Sequence, residues 1–521
     1  MREIFLLKLF FLLLFSFSLF AKTFTIATYN VENLFDLKYD KTEYNEFIPH
    51  KTNWNEHVLS IKLENIAQVI NDLNADVVAL QEVESKEALE LLLQKIPQYA
   101  YFDFVKNPSS AVGIAIISKY KITQKKAISI NSNESIERPI QKVTIAVEDN
   151  KEITVFNNHW RSKRSPESKR INYAMSLQNY LEKLDATNDY ILVGDFNSNY
   201  DEFATFTHDK ELNDTHNITG INQILNTVID DKYITKENIL KEEKRVHYNL
   251  WLELPHQQRF SSIYKNRHNT PDNIIVSKAL FDSKNISYVN NSFKNFTPTY
   301  LLSNNKIKRW DIKKGMHLGT GYSDHLPVIA SFTTSKYEEP KKSQKPKNIS
   351  SIYDLDALDE PLIVKDLIVI YKEGNSAILK QKNDRAIYAY NCAQNLQLGY
   401  SYDISIQELK NHFGLQEITQ LKSLKKNAKE ENIKHYYLDA TSIDLFDLHY
   451  QNDIVTNLEG IYENGYIEIK SAQKQKIRLY AKDKALLPKN GQKITILSGH
   501  LGFYKSDAQI IIYKKSDIRV N

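Results

Sequence analysis

Between residues 23 and 332, short apolar runs rich in β-branched residues alternate with helical periodicity, and carboxylates, amides and imidazoles recur at the ends of the runs. Runs this apolar are buried on at least one face, so helices or a second sheet must cover them, which makes this region α/β. Strands are expected at 24–29, 75–81, 111–118, 140–147, 153–158 and 190–193, with amphipathic helices at 59–73 and 170–184. Polar residues at several strand ends meet in one pocket when the strands share a sheet edge.

The remaining features set limits. At 521 residues the chain exceeds what one core usually serves, and two or three domains are expected. A hydrophobic content of 42% with 25% charged residues is that of an ordinary globular protein. The net charge of +4 permits a polyanionic partner without requiring one. A single cysteine, Cys392, excludes an intramolecular disulfide framework and a Cys-based zinc site, so a metal must be held by oxygen or imidazole. Arg2 precedes an apolar run over 4–20, broken by Lys8 and two serines and followed by Ala21 and Lys22. Residues 1–21 thus read as a secretory signal, with an uncleaved anchor helix as the alternative. A secreted or periplasmic location follows, without stable membrane association once the signal is removed.

A domain over 22–334 is followed by a linker, 335–361, in which Pro340, Lys341, Lys342, Lys345, Pro346 and Lys347 show no apolar period. Two stretches beyond it look alike. Ile378, Lys380, Ile387 and Tyr390 are echoed by Ile467, Lys470, Ile477 and Tyr480, and His412, Phe413, Gly414, Leu415 by His500, Leu501, Gly502, Phe503. They resemble two small oligonucleotide-binding (OB) barrels in tandem, over 362–453 and 454–521.

Six polar elements carry the chemistry. Asn30 ends the first strand, and Glu82 ends another about 50 residues on, where a carboxylate must be paired, hydrogen-bonded or metal-bound. His159 follows a strand in Asn157, Asn158, His159, Trp160, a position that also suits a structural histidine. Asp195 and Asn197 follow the run 190–193, two residues apart. Asp272 precedes the run 274–277, and Asp324 with His325 opens the last strand.

Six such elements in this order resemble the endonuclease/exonuclease/phosphatase superfamily over residues 23–332, and secreted bacterial nucleases of that family with C-terminal OB-like domains. The resemblance implies a four-layer α/β/β/α sandwich. It implies that Glu82 holds a divalent cation, with Asn30 and Asp324 beside it. Mg²⁺ is the expected ion, Mn²⁺ its substitute and Ca²⁺ a structural adjunct. His325, oriented by Asp272, would take a proton from water that Asp195 positions, while Asn197 and His159 meet the phosphate. Arg138 resembles the family's phosphate-contacting arginine, and Arg161 and Arg164 are further candidates. The expected protein is a monomeric, secreted, metal-dependent nuclease acting on DNA, with no obligate protein partner.

Two further expectations concern substrate. In deoxyribonuclease I, arginines face the minor groove two positions beyond the asparagine and the glutamate, where this chain has Glu32 and Glu84. Basic residues with Tyr466 and Tyr480, among them Lys470, Lys474, Lys476 and Arg478, suit nucleic acid. The alternative, a secreted sphingomyelinase-type phosphodiesterase, needs apolar loops near the pocket, for which Phe296, Tyr300, Leu301 and Leu302 are the candidates.

Overall fold

The computed structural model describes residues 21–521 apart from 133–136, 208, 266, 304–305, 339–347, 354, 356–357, 359–360, 413, 431, 470–474 and 505–506. The signal segment over 1–20, the Pro/Lys stretch of the linker, Phe413, Lys470 and Lys474 lie outside the described residues. Among those described, no helix is long and apolar enough to cross a membrane.

The N-terminal region is the expected sandwich. Its strands are β1 (Thr23–Leu34), β2 (Val77–Val83), β3 (Tyr101–Val105), β4 (Gly113–Ser118), β5 (Lys121–Ile128), β6 (Ile140–Glu148), β7 (Lys151–His159), β8 (Tyr190–Asp195), β9 (His247–Asn249), β10 (Asp272–Ser277) and β11 (Val328–Thr333). One sheet runs β11-β1-β2-β4-β3, and the other runs β9-β10-β8-β7-β6-β5. Strands β1 and β2 are parallel, as are β7 and β8.

Side-chain alternation builds the layers. Ile26, Val77 and Ala79 pack against Val155, Val193 and Ile274 between the sheets, while Ala27, Val78 and Leu80 face outward. Helices α1 (Glu56–Leu73) and α2 (Lys86–Leu93) cover that outer face, and α3 (Glu167–Leu181) covers the other sheet through Tyr173 and Leu177. Helix α1 starts three residues before the expected 59, because Asn55 caps it by accepting from the Val58 N–H at 3.2 Å. It ends at Asn74, in the left-handed region at φ 48.

The C-terminal half is β-rich. Strands β12 (Leu362–Glu373), β13 (Ser376–Lys380), β14 (Ala386–Ala389), β15 (Tyr400–His412) and β16 (Leu415–Lys429) close a barrel in the order β12-β13-β14-β16-β15, with β14 and β16 parallel. The same order recurs in β17 (Leu458–Glu463), β18 (Tyr466–Ile469), β19 (Lys476–Tyr480), a fourth strand broken into β20 (Lys493–Ile496) and β21 (Gly499–Tyr504), and β22 (Asp507–Ile511). Here β19 and β22 are the parallel pair, and β20 pairs back onto β17. The first closes as a barrel and the second belongs to a nine-stranded sheet, an arrangement consistent with OB-like domains. Ile378 and Ile467 fall in the two second strands, and Ile387 and Ile477 in the two third strands. The histidine echo differs: His412 ends its strand while His500 lies inside one, on the interface between the barrels.

That interface is buried and polar at its centre. Lys380 of β13 is paired at 2.5 Å with Asp453, which lies with the second barrel because its carbonyl accepts from the Leu501 N–H at 2.9 Å, and Tyr371 donates to Asp517 at 2.6 Å. Around them Ile368, Ile370, Ile378, Tyr388 and Ile454 form one apolar cluster. The second and third strands of the first barrel are therefore covered by the second barrel.

Candidate active site

The six expected elements meet at one edge of the sandwich, because the strand registers bring them there. Asp195 lies opposite both His159 and Asp272 across neighbouring strands. Gly194 makes this possible: at φ +123, a Cβ there would sit 2.1 Å from the Asn158 carbonyl oxygen, so only glycine lets β8 lie this close to β7. Across the cleft, the β2 ladder bulges between Gln81 and Val83, and Glu82 occupies the left-handed region at φ 65. The bulge turns Glu82 away from the sheet faces and into the pocket. Asn197, also left-handed at φ 50, is held by its N–H to Asp195 Oδ1 at 2.8 Å and its Nδ2 to the Trp160 carbonyl at 3.1 Å. Backbone strain of this kind persists only where the surroundings over-determine it.

One group of residues is acidic. Asn30 Nδ2 donates to Glu82 Oε1 at 3.2 Å and to Asp195 Oδ2 at 3.1 Å. Burial, reinforced by the charge on Asp324, raises the Glu82 pKa. Burial also pushes Asp195 up to about 7, with Asp272 and Glu82 adding to the rise against the opposing effect of His325. Carboxylates that penalise one another in this way suit a divalent cation. Glu82 and Asp324 supply oxygen donors of the kind Mg²⁺ and Mn²⁺ take, and Asn30 turns its Nδ2 to the Glu82 carboxylate and so orients it, which fits the ion with Asn30 in a supporting place.

A second group handles protons. His325 Nδ1 is 2.7 Å from Asp272 Oδ2, and because a carboxylate only accepts, Nδ1 is the donor and Nε2 faces the pocket. Ser261 donates to the same Asp272 oxygen at 2.7 Å. Burial acts to lower the His325 pKa, but the charge and hydrogen bond of Asp272, with Asp324 and Asp195, outweigh it and hold the pKa well above the usual value. Asp195, Asp272 and His325 also lie close enough to hold a metal among themselves. The Asp272–His325 hydrogen bond occupies the atoms a cation would need, so the pair reads as base and orienter.

The third group can meet a phosphate. Arg138 Nη1 is 3.0 Å from both ring nitrogens of His159, and its Nη2 donates to the Trp160 carbonyl. Burial first, then the charges of Arg138 and His325, hold the His159 pKa well below normal, which favours the neutral ring. Arg161 stands differently from Arg138: its Nε donates to buried Glu137 at 3.1 Å, committing that nitrogen to the wall of the site. Arg164 is exposed.

Two residues flagged as replacing groove-facing arginines do not face a groove. Glu84 is fully buried and accepts from the Asp36 N–H at 2.8 Å. Glu32, 5% exposed, accepts from the Trp310 N–H at 3.0 Å and is ion-paired with Arg309. Arg309 and the buried Lys62, whose Nζ donates to the Val31 carbonyl at 3.2 Å, went unread in the sequence because each lies in a segment without a motif. The only signal for Glu32 was an acid inside a buried strand. The apolar loop expected at a membrane is also placed elsewhere: Leu301 is buried, and Phe296, Tyr300 and Leu302 pack against the core beneath α1.

A two-sheet sandwich whose edge unites an oxygen-donor set, a His–Asp pair and an Arg–His floor defines a hydrolase of phosphate esters. The profile of the Endonuclease/Exonuclease/phosphatase family matches residues 25–334, and the chain belongs to that family. Solved structures similar to it include humanized D. rerio TDP2, at 12% identity over 60% of this chain and 98% of that one, with a TM-score of 0.39. Others are ANGEL2, a 2',3'-cyclic phosphatase (16% identity, 60% and 96% covered, TM-score 0.39), and an AP endonuclease from Archaeoglobus fulgidus (15% identity, 59% and 98% covered, TM-score 0.36). No curated protein sequence matches the chain.

Proposed function

We propose that the protein is a secreted, divalent-metal-dependent nuclease that hydrolyses DNA phosphodiester bonds. The observation that carries this reading is the single pocket in which the Asp272–His325 pair faces the Glu82–Asn30 carboxylate–amide pair across the Arg138–His159 floor. His325 Nε2 takes a proton from water as the water oxygen bonds to phosphorus and the bond to the leaving oxygen breaks. Asp195 and Asn197 hold the water and a phosphate oxygen in line. Neutral His159 and Arg138 donate to the phosphate from the other side, stabilising the charge that develops there. A divalent cation would be held by Glu82 and Asp324, with Asn30 orienting Glu82, and would supply further stabilisation of that charge.

The choice of nucleic acid rests on the second barrel. Tyr466 and Tyr480 are exposed on neighbouring strands, Arg478 sits opposite Tyr466, and Lys476 Nζ lies 4.8 Å from the Tyr466 ring. Aromatic faces for bases beside cations for the backbone suit a single strand. A lipid-headgroup phosphodiesterase has one observation in its favour: Ile312, Met316 and Leu318 are exposed just beyond Arg309.

Assays of the mature chain on supercoiled plasmid and on sphingomyelin vesicles, with Mg²⁺ or chelator, separate the two readings. Plasmid is expected to relax and then fragment only with Mg²⁺, and Glu82→Ala is expected to abolish this. Intact plasmid beside hydrolysed sphingomyelin would overturn the nuclease reading.

A further inference from the structure

Glu32 sits at the bulged end of β1, two residues past Asn30, in the left-handed region at φ 49. Its backbone N–H donates to Asn30 Oδ1 at 3.0 Å, fixing the amide so that Nδ2 points to Glu82 and Asp195. Its carboxylate takes the Trp310 N–H at 3.0 Å and pairs with Arg309 Nη2. That same nitrogen is 3.7 Å from Asp324 Oδ2, so one guanidinium nitrogen stands between two carboxylates, with Glu32 the closer. Gly321 holds the arrangement together: at φ +87, a Cβ there would fall 1.8 Å from the Arg309 carbonyl oxygen, so glycine lets the 309–310 segment lie against the chain leading to Asp324.

We propose that Glu32 is a positioning residue for the cation: it holds Arg309 back from closing on Asp324, and its N–H fixes Asn30 so that the amide Nδ2 orients the Glu82 carboxylate, leaving both carboxylates free to face the ion. The proposal rests on Glu82 and Asp324 being the cation's donors. An arginine–carboxylate pair commits the carboxylate's lone pairs and cancels its charge, so an Asp324 captured by Arg309 is lost as a ligand. Glu32 prevents that capture because its own carboxylate, buried and supplied with a backbone donor, is the better partner. Groups that orient a metal's ligands in this way tune affinity by about 10–100-fold.

The test is Mn²⁺ titration by calorimetry of the full chain, without substrate, for Glu32→Gln, Arg309→Gln and the double variant, with thermal midpoints measured beside them. Gln at 32 keeps an acceptor for the Trp310 N–H but releases Arg309. Glu32→Gln is expected to weaken Mn²⁺ binding about ten-fold or more. The double variant is expected to regain most of that loss, since no guanidinium is left to take Asp324. Unchanged affinity in Glu32→Gln, or a loss that persists undiminished in the double variant, would overturn the proposal. Should Glu32→Gln unfold, Glu32→Asp carries the test, because it keeps the charge but withdraws it by one methylene and predicts a smaller loss that Arg309→Gln again relieves. Unchanged binding in Glu82→Gln would overturn the donor assignment itself, and is separable because Glu32 and Arg309 are intact in that variant.

Discussion

Replacing His325 with alanine is expected to lower kcat/KM for phosphodiester hydrolysis by about 10²–10⁴-fold, the range a positioned acid–base group contributes. Among the described residues the neighbouring imidazole is His159, whose pKa is driven down by burial and by Arg138, which disfavours it as a substitute base. Asp272→Asn is expected to lose nearly as much with its shape preserved. An amide in place of the carboxylate can donate to Nδ1 and leave the proton on Nε2, the atom that must accept one. Steady-state kinetics with saturating Mg²⁺ measure both variants. Retention of more than about a tenth of wild-type activity in His325→Ala would remove His325 from the proton-transfer role.

Replacing Lys380 with methionine is expected to destabilise the paired barrels by about 3–5 kcal/mol, the cost of stranding a buried charge. Asp453, 2% exposed, then keeps its carboxylate between the barrels without the ammonium that meets it. Its pKa is already raised by burial, with Lys380 opposing the rise, so loss of the lysine drives it further toward the neutral acid. Converting both residues, Lys380→Met with Asp453→Leu, is expected to cost far less, because no charge is left to desolvate. Denaturant unfolding of the C-terminal transition reads both values. A loss below about 1 kcal/mol in the single variant would mean that water reaches Asp453.

What the sequence disclosed and what it hid follow one rule. Asn30, Glu82, His159, Asp195, Asp272 and His325 were legible because each interrupts an apolar run at its end, and local pattern carries that signal. The layers were legible because Ile26, Val77 and Ala79 alternate with Ala27, Val78 and Leu80, a period of two that any sheet imposes. The two-turn helix α2 was not, since its Leu91, Leu92, Leu93 run has no helical period to distinguish it from a strand. Glu32 and Arg309 meet across 277 positions, and neither end of that contact alters its own neighbourhood in the chain. The identity of Glu84 as a buried acceptor was hidden for the same reason, because its partner is the Asp36 backbone. The covering of the first barrel by the second was likewise invisible, as each barrel's strands read alike in isolation.

That covering sets the smallest piece of the C-terminal half that stays soluble. A cut between the barrels would bare Ile368, Ile370, Ile378, Tyr388 and Ile454 and strand Lys380 without Asp453 on the exposed wall. The two barrels are therefore expected to unfold as one cooperative unit, in which the wall of the first barrel around Ile370 and Ile378 is an internal surface.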